Sequence, residues 1–334
     1  MRPPGVERLR IRSEPARVGP ALSVLSCMVL WGWPLAALAW GGDGHRIVAR
    51  TARERLSAKT RAVLVPDLEA FERACVEPDE RKTRDPAEGP RHYVDIERWS
   101  DDFLALLRRA RSKQQLARLY QIGWPVSDEE LAARYRSAPR SRAAYERWRG
   151  DATVDADLGT IFYAVADTQR ELRRAAVAHD DGAIRRAAGD LCHYVGDLVQ
   201  PLHNTVNYRG QLSGNVICRR GSSSIHERYE SEMVHKFRKE LERRVRSALA
   251  HGAEPAAGAA GSDLAIEKSR GARAKLAAIL DADRSLLPDE TACAKLPKAH
   301  YLSGLYELVG DLTAERLSDA SRTLATLLEQ AGQP

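Results

Sequence analysis

Apolar positions along this chain recur every three to four residues, the period that turns one face of an α-helix toward a core. Helices are predicted at residues 45–56, 58–74, 102–119, 128–148, 158–178, 181–199, 225–251, 263–281 and 300–330. Residues 92–99 read as a short ordered piece. Three stretches read as loops: the charged 76–89, interrupted by Pro78 and Pro86, the Gly-, Ser- and Asn-rich 207–224, and the Gly/Ala-rich 252–261. No run of β-branched alternation, no internal repeat and no domain boundary stands out. The predicted fold class is all-α, one mainly helical domain.

The first 39 residues break this pattern. Arg2, Arg8, Arg10, Arg12 and Arg17 precede an apolar run over 21–39 that ends in Ala37-Leu38-Ala39. A basic start, an apolar run and small residues before the cut are the features of a secretory signal. The run is nearly long enough to span a bilayer, but Pro34 and the small-residue site favour cleavage. The expectation is a signal peptide over 1–39, a mature domain over 40–334, no membrane span after processing, and a secreted or periplasmic location. Composition agrees with export. Apart from Cys27, four cysteines remain, Cys75, Cys192, Cys218 and Cys293. In an oxidising compartment they can form two disulfides in any of three pairings. Charge changes as well: the whole chain is +6, and the leader holds five arginines against two glutamates, so half of that excess leaves with it. The small remainder is weak support for nucleic-acid binding by net charge alone.

The chemistry concentrates in residues 193–203. His193 and Asp197 are four apart, so a helix stacks them on one face. Pro201 then stops or bends that helix, and His203 approaches from beyond the break. Imidazole and carboxylate gathered this way suit zinc. Three more histidines sit in comparable contexts. His45 follows a glycine-rich turn, His92 precedes Asp95, and His226 precedes Glu230 by four residues. Singly, each is ordinary: a cap, a satisfied polar contact, a surface pair. Together in one chain they point to a metal centre. His179, His235, His251 and His300 read as surface or structural residues.

The order of these motifs resembles the single-strand-specific trinuclear-zinc nucleases of the S-one/P-one type, whose superfamily includes the zinc-dependent bacterial phospholipases C. The likeness runs from Trp40 to about Glu230. It rests on Trp40-Gly41-Gly42-Asp43-Gly44-His45, Asp79 in its charged loop, His92-Tyr93-Val94-Asp95, His193 with Asp197, Gln200-Pro201-Leu202-His203, Gly214-Asn215, and His226 with Glu230. The resemblance implies three zinc ions. Asp79, His92, His193 and Asp197 would hold one. Trp40, through a free amine and carbonyl, would hold its neighbour with His45 and Asp197, so that Asp197 bridges the pair. His203, His226 and Glu230 would hold the third. A bridging carboxylate suits two cations roughly 3.5–4 Å apart, the arrangement used for in-line phosphoryl displacement. The resemblance also implies that Tyr93 stacks a base, Asp95 bonds its edge and Asn215 contributes to substrate binding. Two departures stand out. Glu230 replaces an aspartate, and Lys82 replaces an arginine, keeping the positive charge but losing the bidentate fork. Glu77, Glu80 and Asp85 compete with Asp79 for the loop position.

The leading expectation is a zinc-dependent phosphodiesterase cutting single-stranded DNA and RNA, with 3'-nucleotidase activity as a companion. Asp79, Asp197 and Lys82 would serve catalysis, and a zinc-bridging water would attack phosphorus. The substrate is a single-stranded nucleic acid or nucleotide, and no stable protein partner is implied. A phospholipase C would use nearly the same ligands; Glu230 leans that way, while the five-residue spacing of Trp40 and His45 leans to the nucleases. A helical protein that keeps the scaffold without catalysis is the third reading, supported by Lys82 and Glu230 alone.

Overall fold

The computed structural model describes residues 40–96, 159–211, 213–218, 223–251 and 261–333. The helices expected at 102–119 and 128–148 lie outside these residues, as does the end of the piece expected at 92–99. The described elements, in chain order, are α1 (Gly41–Arg55), α2 (Ala58–Leu64), α3 (Leu68–Ala74), α4 (Glu77–Arg81), a 3-10 turn (Gly89–His92), α5 (Ile161–Ala178), α6 (Asp181–Val199) and a second 3-10 turn (Pro201–His203). They continue with α7 (Ile225–Glu227), a π-helical turn (Arg228–Met233), α8 (Val234–His251), α9 (Gly261–Arg273), α10 (Leu276–Leu286), α11 (Glu290–Lys295) and α12 (Lys298–Ala331). Among the described residues, β pairing is limited to the isolated bridges Val94–Gly159 and Cys218–Ser223. The protein is all-α, as the apolar period requires.

Helix α6 runs through the middle. Every residue from Ala187 to Val199 on it is buried, as expected of a helix enclosed on all sides. It pairs with α5 on one flank and packs against α1, α3 and α12 on others. The α5–α6 hairpin closes on His179, left-handed at φ 54°, and on Asp180, whose side chain caps α6 by accepting from Ala183 N. The long α12 lies against α1, α6 and α8. All the histidines of the motif set are thereby placed on, or next to, the central helix.

Several boundaries differ from the sequence expectation. The helix expected over 58–74 is two helices. Pro66 cannot donate to a helical ladder, and Asp67 starts the next helix by accepting from Glu69 N and Ala70 N. The loop expected over 76–89 contains α4, because Pro78 stands in the first turn, where its missing N–H costs nothing, and the turn is acidic. The expected 225–251 helix is interrupted by the π turn, and 263–281 is split into α9 and α10 at residues 274–275, where no glycine or proline marks the turn.

The cysteines pair as Cys75–Cys192 and Cys218–Cys293. The first ties the end of α3 to α6. The second ties the 207–224 loop to α11. The same loop is held by a buried network: Arg228 pairs with Asp283 at 2.7 Å and donates to Val216 O at 3.1 Å, while Tyr301 donates to Asp283 at 2.7 Å.

Candidate metal centre

The first turn of α1 begins the site. Trp40 has a left-handed backbone (φ 45°) and is fully buried, its indole N–H donating to Gly196 O at 2.7 Å. Its own carbonyl accepts from Gly44 N at 3.1 Å. Gly44 and Gly196 make this approach possible: a Cβ at Gly44 would meet Trp40 Cβ at 2.6 Å, and one at Gly196 would meet His45 Nδ1 at 2.7 Å. Gly196 is therefore the spacer that lets α1 and α6 touch where His45 faces Asp197, while Gly44 makes room for Trp40 at the start of α1.

Around Asp197 the side chains converge. His45 Nε2 lies 3.4 Å from Oδ1. His92 Nδ1 lies 2.9 Å from Oδ2, and His193 Nε2 lies 3.3 Å from the same oxygen. Asp79 Oδ1 stands 3.7 Å from His193 Nε2 and 3.8 Å from His92 Nδ1. Of Asp79 and its competitors Glu77, Glu80 and Asp85, Asp79 is thus the one brought to the histidines, at the buried face of α4. The 3-10 turn at Pro201 carries the chain away from α6 and presents His203 to a separate group. His203 Nε2 and His226 Nε2 lie 3.1 and 2.9 Å from Glu230 Oε2 and 3.1 Å from each other. Gln200 donates to the same Glu230 oxygen at 2.5 Å. The structure thus forms three groups, His45–His193–Asp197, Asp79–His92–His193 and His203–His226–Glu230, each with its ligand atoms within 4.8 Å of one another. His193 belongs to two of them; the sequence reading had assigned it to one.

The donor chemistry fits zinc. His193 Nδ1 donates to Cys75 O at 2.8 Å and His203 Nδ1 to His92 O at 2.7 Å. A carbonyl can only accept, so both rings carry a proton on Nδ1 and turn Nε2 into the site. Yet His193 Nε2 lies 3.0 Å from His92 Nδ1. Ring nitrogens and carboxylate oxygens converging at this range are donors that a cation can share. Among the described residues, neither ring nitrogen of His45 makes a hydrogen bond, nor do Asp197 Oδ1 and Glu230 Oε1, though all are buried. Buried imidazole and carboxylate left short of donors are what a borderline cation requires.

Electrostatics point the same way. Burial by itself raises the Asp197 carboxyl, but His193, His203 and His45 outweigh it and hold it well below the usual carboxylate range. Burial likewise opposes ionisation of Glu230, and His226 and His203 overcome it, bringing Glu230 to about 2. Burial lowers His203, and Asp197 and Glu230 reverse this, raising it to about 9. His193 is raised in the same way, against burial, by Asp197 and Asp79. His45 goes the other way, lowered by burial and by His193. Lys82 Nζ lies 2.7 Å from Asp79 Oδ1; burial lowers it, Asp79 more than compensates, and it stays an ammonium.

The expected substrate residues divide. Tyr93 and Asp95 are half-buried and flank Val94, whose N–H donates to His203 O at 2.9 Å. Asn215 turns inward. Its amide hydrogens go to Leu280 O and Asp283 Oδ2, both at 2.8 Å, which leaves it none to offer a base. Two residues escaped the sequence reading. Tyr208 is 44% exposed, with its ring edge-on to His226 at 5.7 Å; its signal was an aromatic in a polar loop five residues after His203. Glu88 is buried beside His92, and only its spacing of four residues could have hinted at it.

A helical domain with three buried histidine–carboxylate groups, two of them meeting at His193, suits a metal-dependent phosphoesterase. The chain belongs to the S1/P1 nuclease family, whose model it matches over residues 40–332. The likeness thus extends about a hundred residues beyond Glu230, through α12. No curated protein matches the chain. Membership makes the protein a hydrolase of phosphate ester bonds in a zinc-dependent nuclease family. No helix of the described residues is long and apolar enough to cross a membrane.

Proposed function

We propose that the mature protein is a secreted or periplasmic phosphodiesterase that hydrolyses single-stranded DNA and RNA, with 3'-nucleotidase activity at the same centre, and that it holds three zinc ions. The observation that carries this reading is the convergence of His45, His92 and His193 on the two oxygens of Asp197, with His203, His226 and Glu230 beside them. When bound, zinc supplies a water of lowered pKa as nucleophile and positive charge against the phosphate oxygens. Asp79, His92, His193 and Asp197 would hold one ion, Trp40, His45 and Asp197 the second, and His203, His226 and Glu230 the third. Trp40 serves only if it becomes the amino terminus, which ties the reading to removal of residues 1–39.

The chain's other residues have separate tasks. Lys82, an ammonium beside Asp79, would set positive charge against a phosphate, with a point charge rather than a guanidinium fork. Tyr93 and the exposed Tyr208 offer aromatic faces for unstacked bases, the usual basis of sequence-tolerant single-strand binding. Asp95 accepts from a base edge. Asn215 contributes by fixing the loop that carries Tyr208: its Oδ1 accepts from Ser213 at 2.6 Å and its amide anchors that loop to α10.

The test is purified mature protein against single-stranded DNA, RNA, duplex DNA, a 3'-mononucleotide and phosphatidylcholine, with and without chelator. Chelator-sensitive cleavage of the single strands and the 3'-mononucleotide is expected. Lipid cleavage without nucleic-acid cleavage would favour the phospholipase reading, to which Glu230 leans.

A further inference from the structure

We propose that Glu88 is a positioning residue that fixes the ring of His92 for metal ligation; this rests on the zinc reading of the site. The histidines differ in what holds their outer nitrogen. His193 and His203 are oriented by the backbone carbonyls of Cys75 and His92. His92 is reversed. Its Nδ1 faces Asp197, His193 and Asp79, and its Nε2 faces Glu88 Oε1 at 3.4 Å. Glu88 is 4% exposed, and it is held from behind. Tyr194 donates to Oε1, Arg81 approaches both carboxylate oxygens at 3.4 Å, and Arg81 is in turn fixed by Asp190 at 2.9 Å. The Arg91 guanidinium lies over the Tyr194 ring at 4.8 Å. The backbone helps, since Glu88 heads the 3-10 turn that ends in His92, with Arg91 N donating to Glu88 O at 3.0 Å.

A carboxylate facing Nε2 favours the tautomer with its proton on Nε2 and leaves the Nδ1 lone pair for the cation. It also makes the imidazole a stronger ligand, as outer carboxylates do for metal-bound histidines. A glutamine there removes the charge, and its amide can donate to Nε2 and favour the wrong tautomer.

The experiment uses zinc-loaded mature protein and two variants, Glu88→Gln and Asp190→Asn. Asp190 belongs to the same ion-pair cluster but holds Arg81 and not His92. Zinc retained per chain is measured against increasing chelator, together with thermal stability. Glu88→Gln is expected to release one zinc at roughly 10- to 100-fold lower chelator than wild type. Asp190→Asn is expected to melt earlier while keeping wild-type zinc retention. Equal loss of retention in both variants, or wild-type retention in Glu88→Gln, overturns the proposal. Should Glu88→Gln not fold, nitrogen-15 shifts of the zinc-loaded wild type decide it: a protonated Nε2 on His92 supports the role, and a protonated Nδ1 refutes it. A wild type that binds no zinc brings down the metal reading itself, and this role with it.

Discussion

His45 Nε2 faces Asp197 Oδ1 at 3.4 Å, across the gap that Gly196 leaves between α1 and α6. The other oxygen of that carboxylate faces His92 and His193. One side chain therefore serves two groups. Asp197→Asn keeps the shape but gives one of those groups an amide nitrogen, which cannot ligate a cation. The expected outcome is loss of more than about 100-fold in kcat/KM, above the usual cost of an outer-sphere change, with fewer zinc ions per chain. Steady-state kinetics and metal analysis of the folded variant check this.

Glu230 gives a second, separable prediction. Both His203 and His226 reach the same oxygen, and Gln200 steadies it. Glu230→Asp withdraws the carboxylate by one methylene from partners already fixed by the 3-10 turn and the π turn. It should lose the zinc of this group while keeping the two held around Asp197. Metal analysis of Glu230→Asp reads this directly as a drop of one ion per chain.

Much of this centre was legible in the sequence, and the reasons are local. His193 with Asp197 and His226 with Glu230 are helix-spaced pairs, and Pro201 announces the break before His203. The long buried helices α5, α6 and α12 follow from apolar period alone. The π turn was hidden, since Arg228–Met233 carries no proline or glycine to mark it. The pairing of Cys75 with Cys192 was hidden too, because nothing in the sequence says that the end of α3 meets α6. Glu88 and Tyr208 were missed for a related reason: each acquires its role from a neighbour that only folding supplies.

Proton linkage gives a pH prediction. In the metal-free protein His203 is raised to about 9 and His193 is also raised. A raised folded value means His203 contributes stability fully below its unfolded value of about 6.5, lost as pH rises through about 9. Glu230, depressed to about 2, contributes above its unfolded value and loses that contribution only as pH falls toward 2. Zinc needs the imidazoles neutral, so at pH 7.5 loading should expel protons, and the number released should fall as pH approaches 9. Calorimetric titration of zinc in two buffers of different ionisation enthalpy measures this; release independent of pH would contradict it.

The Cys218–Cys293 bridge closes a long loop that contains His226 and begins ten residues after Tyr208. The chain-entropy argument gives about 4 kcal/mol for such a closure, reduced in practice by the Arg228–Asp283–Tyr301 network that also holds the segment. Cys293→Ser should therefore lower the melting temperature by roughly 5–10 °C while zinc retention at the Asp197 groups is unchanged. Thermal scans with parallel metal analysis test both halves.

The most direct test is zinc per chain, measured on purified protein whose amino-terminal residue has been sequenced. The structure's three groups predict three zinc ions on a chain that begins Trp40-Gly41-Gly42-Asp43. Fewer than two zinc ions per chain after gentle purification would contradict the account.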